Sequence, residues 1–224
     1  MRIGILGGGS VGQTLAAGLR RTGHDVRLGI RAVTVDTLAE PRAQARPLGE
    51  WREATGVAVV TLAEAAAHGE VVVNATNGAG TLAALEGAGH DNLRGKVLID
   101  VANPLDFSQG MPPALMAEYS GHTSLAEQVQ AAVPEARVVK AFNTVTAAVM
   151  VDPSLVPSEH DLFLCGDEGA KEVARDLARG FGWTRFVDLG DIQGARAQEM
   201  FVAIWVRLWT VGGDPLFGYR IVRA

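Results

Sequence analysis

The stretch GILGGGSVGQ, residues 4–13, decides the fold, because it places four glycines within six positions directly after a short apolar run. Glycine packs no side chain and costs backbone entropy, so such a cluster needs a physical reason. Before it lies a predicted strand, Arg2–Leu6, and after it a segment whose apolar residues recur three and four positions apart. Strand, G-x-G-x-x-G turn and helix in this order are typical of dinucleotide-binding folds.

The glycines of this turn have separate predicted roles. Gly7 permits the tight turn, Gly9 lets the backbone approach a pyrophosphate, and Gly12 lets the helix pack closely on the strand. Free amides at the start of the helix, at Ser10 and Val11, then attract the diphosphate, and the positive end of the helix dipole adds to the attraction. We therefore predict a dinucleotide site here. The alternative is an ordinary glycine-rich turn.

The end of the second predicted strand bears on which nicotinamide cofactor is bound. An acidic residue at this place normally binds the ribose 2′-hydroxyl of NAD. The sequence instead reads Leu28-Gly29-Ile30-Arg31-Ala32, without a carboxylate. A guanidinium suits bidentate phosphate binding, so Ile30 and Arg31 are the predicted contacts of the NADP(H) 2′-phosphate. The alternative is that Arg31 is a solvated surface arginine.

Alternating β-branched runs and segments rich in Ala, Leu and Glu predict an α/β fold, a Rossmann doubly wound parallel sheet with a small C-terminal α/β extension. The stretch VDPSLVPSE, residues 151–159, is the predicted boundary between a dinucleotide-binding domain, residues 1–155, and a small C-terminal domain, residues 156–224. The predicted strands are Arg2–Leu6, Asp25–Leu28, Val57–Thr61, Glu70–Ala75, Lys96–Val101, Arg137–Lys140, Asp161–Cys165 and Thr184–Asp188.

Helix signals are clearest in four places. Thr61 with Glu64, and Ser124 with Glu127, have capping-box spacing at the start of two helices. In the C-terminal part, helices are predicted over Glu168–Phe181 and from about residue 194 to 211. The last helix carries apolar residues on more than one stripe, whereas a surface helix needs one. It is either buried inside the small domain or pairs with its copy in a second chain, and we favour a homodimer.

In an open parallel sheet, ligands bind outside the carboxyl ends of the strands. Three predicted strand ends here carry small, polar or turn residues that could contact the nicotinamide or an acceptor ring. They are also ordinary loop formers, which is the competing interpretation. These candidates are Ala75, Thr76, Asn77, Ala102, Asn103, Pro104 and Asn143.

Composition excludes several function classes. The formal net charge is −5 and the isoelectric point about 5.5, so the chain has no cationic excess for nucleic acid. A single cysteine, Cys165, cannot form an internal disulfide or, with scattered histidines, a zinc site. No apolar segment reaches the roughly 20 residues of a membrane span. We expect a soluble cytoplasmic protein without a metal.

Motifs for acid–base or nucleophilic catalysis are missing from the sequence. It contains no G-x-S-x-G, H-E-x-x-H or Walker pattern. Hydride exchange between two ring systems needs no such residue, because the cofactors carry the chemistry. A ketone reductase would need a proton donor at the carbonyl oxygen. We therefore predict no catalytic side chain.

The sequence resembles the family of NADP oxidoreductases that depend on the deazaflavin coenzyme F-420 (F420), also called NADPH-dependent F420 reductases. The resemblance extends over almost the whole chain, and the G-x-R after the second strand, the C-G-D turn and the tryptophan-containing last helix are its most specific features. The matching segments are RIGILGGGSVGQTLAAGL (2–19), GHDVRLGIR (23–31), GKVLIDVANPL (95–105), VVKAFNTV (138–145), DLFLCGDEGAKE (161–172), EMFVAIWVRLW (199–209) and FGYRIVR (217–223).

The resemblance implies NADPH bound on the glycine loop and Arg31, with direct hydride transfer to a stacked acceptor, F420 or FMN. The family often has a hydroxyl residue just before the arginine. Ile30 stands there in this chain, which weakens the phosphate cage and the preference for NADP. The chain is also similar to the cytosolic domains of membrane ferric reductases, which use flavin as acceptor.

Three function classes remain open. The favoured class is an NADP(H)-binding oxidoreductase that passes hydride between nicotinamide and a flavin-like or deazaflavin ring, and a ferric or flavin reductase is an alternative to it. Hydroxyacid dehydrogenases and imine reductases share the first domain but need a longer helical second domain, and 65 residues after Glu159 are too few. The third class is a non-enzymatic NADP(H)-binding redox sensor.

Overall fold

The alternating segments form a central sheet with helices on both faces in the computed structural model, which describes residues 1–42 and 44–223. The strands are β1 (Arg2–Leu6), β2 (Asp25–Ile30), β3 (Ala58–Thr61), β4 (Val71–Asn74), β5 (Val97–Asp100), β6 (Leu105–Asp106), β7 (Ala114–Leu115), β8 (Arg137–Ala141), β9 (Leu162–Gly166) and β10 (Phe186–Asp188). The helices are α1 (Ser10–Arg21), α2 (Val35–Ala39), α3 (Leu48–Thr55), α4 (Leu62–His68), α5 (Thr81–Ala88), α6 (His90–Leu93), α7 (Leu125–Ala132), α8 (Ala147–Val151), α9 (Glu168–Phe181) and α10 (Ala195–Gly212).

The order of strands in the large sheet is β10-β9-β8-β5-β4-β1-β2-β3, and β6 and β7 form a separate hairpin. β1 lies between β2 and β4, so the chain winds outward from β1 in both directions. This reversal creates a crevice at the carboxyl ends of β1 and β4. The predicted doubly wound Rossmann-type fold is confirmed.

One junction departs from the predicted parallel order. β8 and β9 pair antiparallel, with Ala141 opposite Leu164, and β10 then pairs parallel to β9. The strands that follow residue 155 therefore extend the first sheet and do not build a second one. The division into domains at that residue stays a prediction, but it runs through a continuous sheet.

The central strands are buried on both faces because helices cover both. Val71 and Val73 pack with the cluster under α1, α8 and α9, while Val72 packs with the cluster under α4, α5 and α7. Ile99 and Leu98 of β5 alternate in the same way. Because both faces are buried, these strands are continuous apolar runs in the sequence. Only the ends of the strands are left open to a ligand.

Local capping signals determine several helix starts. Thr61 and Glu64 form the predicted capping box of α4, and the Ser124 hydroxyl accepts a hydrogen bond from the Glu127 amide at the start of α7. α9 has the predicted bounds and ends at Gly182, which adopts the left-handed conformation. Over the described residues, no helix has the length and apolarity needed to cross a bilayer.

Candidate functional site

The glycine loop between β1 and α1 has the geometry that the sequence predicts. Gly7 has a φ of +113°, and a methyl group there would lie 2.6 Å from the carbonyl oxygen of Ala75. A methyl group at Gly12 would lie 2.0 Å from the carbonyl oxygen of Gly7. A methyl group at Gly9 would meet no protein atom within 4 Å. Gly7 and Gly12 are therefore required by the fold, whereas Gly9 leaves open space where the backbone faces the crevice.

The start of α1 is suited to an anion. Gly9 is the N-cap residue, and it offers no side chain to the first amides of the helix. The first turn also lacks an acidic residue that would compete with an anionic ligand. Because Gly9, Ser10 and Val11 line the crevice, the positive end of the helix points into it. These features suit the loop to the diphosphate of a dinucleotide.

Ile30 and Arg31 occupy different environments. Ile30 is 7% exposed, and its Cγ2 atom would be 2.9 Å from a methyl group at Gly8, so it supports the glycine loop from behind. Arg31 is exposed, directly after β2, and forms no ion pair with another described residue. Since Leu6 and Gly29 are opposite each other in the sheet, Arg31 lies at the same edge as the glycine loop.

The strand end after β4 is held by side-chain hydrogen bonds. The Thr76 hydroxyl donates to Oδ1 of Asn74 at 2.7 Å. The Asn77 carboxamide oxygen accepts a hydrogen bond from the Gly80 amide at 2.7 Å, which caps a short 3-10 turn. Thr76 and Asn77 both line the crevice, but the side-chain oxygen of Asn77 already accepts the hydrogen bond from Gly80.

A chain of amides joins the ends of β5 and β8 to α10. Asn143 Nδ2 donates to Asn103 Oδ1 at 2.9 Å, and Asn103 Nδ2 donates to the Asn143 carbonyl oxygen at 2.8 Å. Gln198 Nε2 donates to Asn143 Oδ1 at 2.7 Å. The preceding residue, Phe142, has a φ of +65°, a conformation that non-glycine residues rarely adopt and that often marks functional sites. This turn brings Asn143 to the crevice.

The far side of the crevice is formed by one face of α10, which we call the α10 wall: Val202, Trp205, Val206 and Trp209. Phe217, from the segment after α10, stacks on Trp205 with 5.6 Å between ring centroids and 25° between planes. The indole nitrogen of Trp205 is buried and has no hydrogen-bond partner among the described residues. From the sequence, the last helix is either buried inside the small domain or paired with its copy, and neither alternative places these tryptophans in the crevice. Their one sequence signal is the excess of apolar residues on the last helix.

The crevice between the glycine loop and the α10 wall, which we call the cleft, has a volume of about 590 Å³. Such a volume is in the range of small-molecule and cofactor sites. The β6–β7 hairpin adds Leu105, Phe107, Met111 and Pro113 at the rim. Among the described residues, the side chains that line the cleft are aliphatic, aromatic, thioether, amide or hydroxyl groups. Cys165 lies outside this lining, and burial raises the pKa of its thiol to about 12.

The structure brings most of the predicted site residues together. The cleft is lined by Gly9, Ser10, Val11, Ala75, Thr76, Asn77, Ala102, Asn103 and Asn143. The predicted residues that lie outside the lining are Gly7, Gly12, Ile30, Arg31 and Pro104. Pro104 is buried, and a methyl group at Gly78 would lie 2.8 Å from its Cα atom, so it fixes the loop rather than facing the cleft.

Comparison with known proteins agrees with this geometry. The model of the family described as "NADP oxidoreductase coenzyme F420-dependent" matches residues 2–104. A solved structure from Arthrobacter sp. FB24, provisionally described as an F420-dependent NADP-reductase, is 43% identical, with full coverage of both chains and a TM-score of 0.93.

Two curated relatives match over part of their length. The F420-dependent NADP reductase of Methanocaldococcus jannaschii is 32% identical over 146 residues, which is 65% of this chain and 64% of the relative. The metalloreductase STEAP3 of Rattus norvegicus is 29% identical over 215 residues, 94% of this chain and 38% of the relative. The chain thus spans less than two thirds of the length of either curated relative.

Proposed function

The chain belongs to the family of coenzyme F420-dependent NADP oxidoreductases, and on that premise we propose that it binds NADP(H) and passes hydride directly between the nicotinamide and a flavin-like or deazaflavin (F420) acceptor. One observation carries the proposal. A glycine loop at an uncapped helix start and an aromatic wall face each other across one cleft at the switch point of the sheet.

The glycine-loop side is the proposed NADP(H) site. Amides at Gly9, Ser10 and Val11 hold the diphosphate, because they lie at an uncapped helix start. Arg31 holds the 2′-phosphate, since it is exposed and carries no competing ion pair with a described residue. When bound, the dinucleotide supplies the hydride, and the neighbouring Thr76 and Asn103 orient its nicotinamide end.

The α10 side is the proposed acceptor site. Trp205 and Trp209 give an apolar aromatic surface with their rings tilted by 41° to each other, and aromatic rings pack well in offset or tilted stacks. A planar ring fits this surface.

The lining chemistry favours hydride exchange between rings over reduction of a ketone. Amide, hydroxyl and aromatic groups orient a ring but do not supply a proton at neutral pH. Transfer between two cofactor-type rings needs orientation more than acid–base catalysis. A carbonyl acceptor would require a proton donor within hydrogen-bond reach.

Similarity to the metalloreductase over 94% of the chain supports a second candidate, a ferric reductase. Stopped-flow oxidation of NADPH, followed by nicotinamide absorbance, tests the candidates with three acceptors: F420, FMN and a ferric chelate. Rapid oxidation by F420 or FMN alone supports the proposal. Oxidation by the ferric chelate without a flavin supports the second candidate. Tight NADPH binding with no oxidation contradicts both and favours a redox sensor.

We also propose that the protein is a homodimer in the cytoplasm. α10 presents a second apolar stripe to solvent, formed by Met200, Ile204, Leu208 and Val211, which are 41–70% exposed. A surface helix needs one apolar stripe, so the second is available to a copy of the chain. Sedimentation should give a dimer at micromolar concentration. A monomer there would refute the pairing, and cell fractionation tests the location.

A further inference from the structure

A buried ammonium group lies beneath the cleft. Lys140, on β8, is 0% exposed, and its Nζ atom lies 2.7 Å from Oδ2 of Asp100 and 2.9 Å from Oε1 of Glu199. It also donates a hydrogen bond to the Ala102 carbonyl oxygen. Burial alone would lower the pKa of Lys140, but the two carboxylates outweigh burial and raise that pKa above its usual range.

The remaining carboxylate oxygens are also bonded. Glu199 accepts hydrogen bonds from the amides of Leu125 at 2.8 Å and Ala126 at 3.0 Å, at the start of α7. Asp100 accepts one from Asn74 Nδ2 at 2.7 Å. One negative charge is left over, and the α7 helix start partly offsets it. The group is thus fully bonded although its three charged side chains are at most 1% exposed.

Buried ion pairs are weak sources of stability, because desolvation cancels most of their attraction. In some proteins a buried ion pair instead specifies one arrangement of the elements that it joins. Here the elements form the two sides of the cleft. Asp100 is connected through Asn74 to Thr76, and Lys140 binds the carbonyl of Ala102, so both contacts lead to the nucleotide side. Glu199 belongs to α10.

Glu199 is close along α10 to two residues of the α10 wall. Val202 is three residues after Glu199 and Trp205 six residues after it, so both lie within two turns of the anchored carboxylate. A shift of Glu199 would move the α10 wall relative to Ala102 and Thr76.

We propose that Lys140, with Asp100 and Glu199, is a positioning residue that sets the separation between the nucleotide side of the cleft and the α10 wall. The inference rests on the proposed function, because it is for hydride transfer that this separation matters. Transfer falls steeply when reacting atoms move apart, and a misplacement of about 1 Å costs on the order of 100-fold in rate.

The chain offers a matched control in a second buried lysine. Lys171 on α9 is 1% exposed and lies 2.8 Å from Glu168 and 2.9 Å from Asp188. Its partners join α9 to β10 and include no residue of the cleft. Lys140→Met and Lys171→Met therefore each remove the charge of a buried ammonium group that binds two carboxylates, and only the first removes it from between the sides of the cleft.

Amide hydrogen exchange over residues 199–206 is the first readout, because it needs no acceptor. We expect faster exchange there in Lys140→Met and unchanged exchange in Lys171→Met. If Lys140→Met does not fold, Glu199→Gln tests the same contact and leaves the Lys140–Asp100 pair in place. Unchanged exchange over residues 199–206 in Lys140→Met or in Glu199→Gln would overturn the proposal.

Single-turnover oxidation of NADPH by F420 is the second readout. We expect Lys140→Met or Glu199→Gln to lower the transfer rate about 100-fold while the NADPH dissociation constant stays within about twofold. Equal rate losses in Lys140→Met and Lys171→Met would overturn the positioning role. An inactive wild-type protein with the expected exchange pattern would refute the proposed function and leave the joining of the two sides intact.

Discussion

The two sides of the cleft are built in different ways. The glycine loop, residues 7–12, is local, and it offers main-chain amides whose geometry depends on the absence of side chains. The α10 wall consists of side chains, and it depends on contacts with β8, α7 and the segment after α10. Recognition by the main chain leaves a sequence pattern. Recognition by side chains from distant elements does not.

Gly12→Ala gives the largest effect that we expect. The added methyl group would lie 2.0 Å from the Gly7 carbonyl oxygen, and backbone cannot yield as a side chain would. We predict a loss of about 3 kcal/mol in the free energy of unfolding, the upper end for overpacking, together with loss of NADPH binding. Denaturant unfolding and a binding titration measure the two effects.

Gly9→Ala is the matched variant, because a methyl group there meets nothing in the protein within 4 Å. The free energy of unfolding should stay within about 0.5 kcal/mol, as for other surface changes. NADPH binding should still weaken, since the methyl group occupies the approach of the diphosphate. Unchanged NADPH affinity in Gly9→Ala would contradict the role of this loop.

This difference explains how much could be predicted from the sequence. The glycine turn, the strand ends and the capping boxes are local patterns, and the fold and nine lining residues follow from them. The antiparallel joining of β9 to β8 was not predicted, because edge pairing is decided by tertiary contacts. The tryptophans of α10 were not placed in the cleft, because the sequence of a helix with two apolar stripes does not show which stripe faces inward.

The buried Lys140 was missed for a related reason. A lysine between Val139 and Ala141 in a buried strand is a signal that a charge lies in the core. Its partners are 40 and 59 residues away in sequence, so periodicity and spacing do not identify them. Only the folded chain brings the three together.

Arg31→Ala tests the glycine-loop side through its affinity for nucleotides, whereas Gly12→Ala tests it mainly through the stability of the fold. We predict that NADPH binding weakens by roughly 1.5–3 kcal/mol, the range for hydrogen bonds to charged groups. NADH has no 2′-phosphate, so its affinity should change little. Titrations of both nucleotides measure the difference, and equal losses would show that Arg31 does not hold the 2′-phosphate.

Trp205→Ala tests the α10 wall. Loss of the stacked indole should weaken acceptor binding by roughly 0.5–1.5 kcal/mol, the usual contribution of aromatic pairs beyond burial. The effect should appear in the KM for the acceptor, while NADPH affinity stays nearly constant. Arg207→Ala, at an exposed position of the same helix outside the second apolar stripe, is the control and should leave the acceptor KM unchanged. An equal rise in both variants would contradict the assignment of Trp205 to the acceptor.

Glu127→Gln removes a contact that supports the α10 wall, and we expect it to have the smallest effect, a slight loss in the free energy of unfolding. Two hydrogen bonds from Arg196, at 2.9 and 2.6 Å, join α10 to α7 and lower the pKa of Glu127. A lowered pKa means that the contact stabilises the fold above the unfolded value of about 4.3 and loses its effect as the pH falls through the folded value. At neutral pH the wild type should have a slightly larger free energy of unfolding than Glu127→Gln, and this difference should disappear in acid. A difference that stays constant with pH would contradict the cause given for the lowered pKa.

Transfer of isotope tests most directly whether the two sides of the cleft serve one reaction. The experiment uses NADPH with deuterium at C4 of the nicotinamide, on each face in turn. F420 oxidises this NADPH in ordinary water, and mass spectrometry measures the mass of the reduced deazaflavin. F420 has carbon where a flavin has N5, so transferred deuterium is retained. We predict that deuterium from one face appears in the reduced acceptor. Reduced acceptor without deuterium from either face would contradict direct transfer across the cleft.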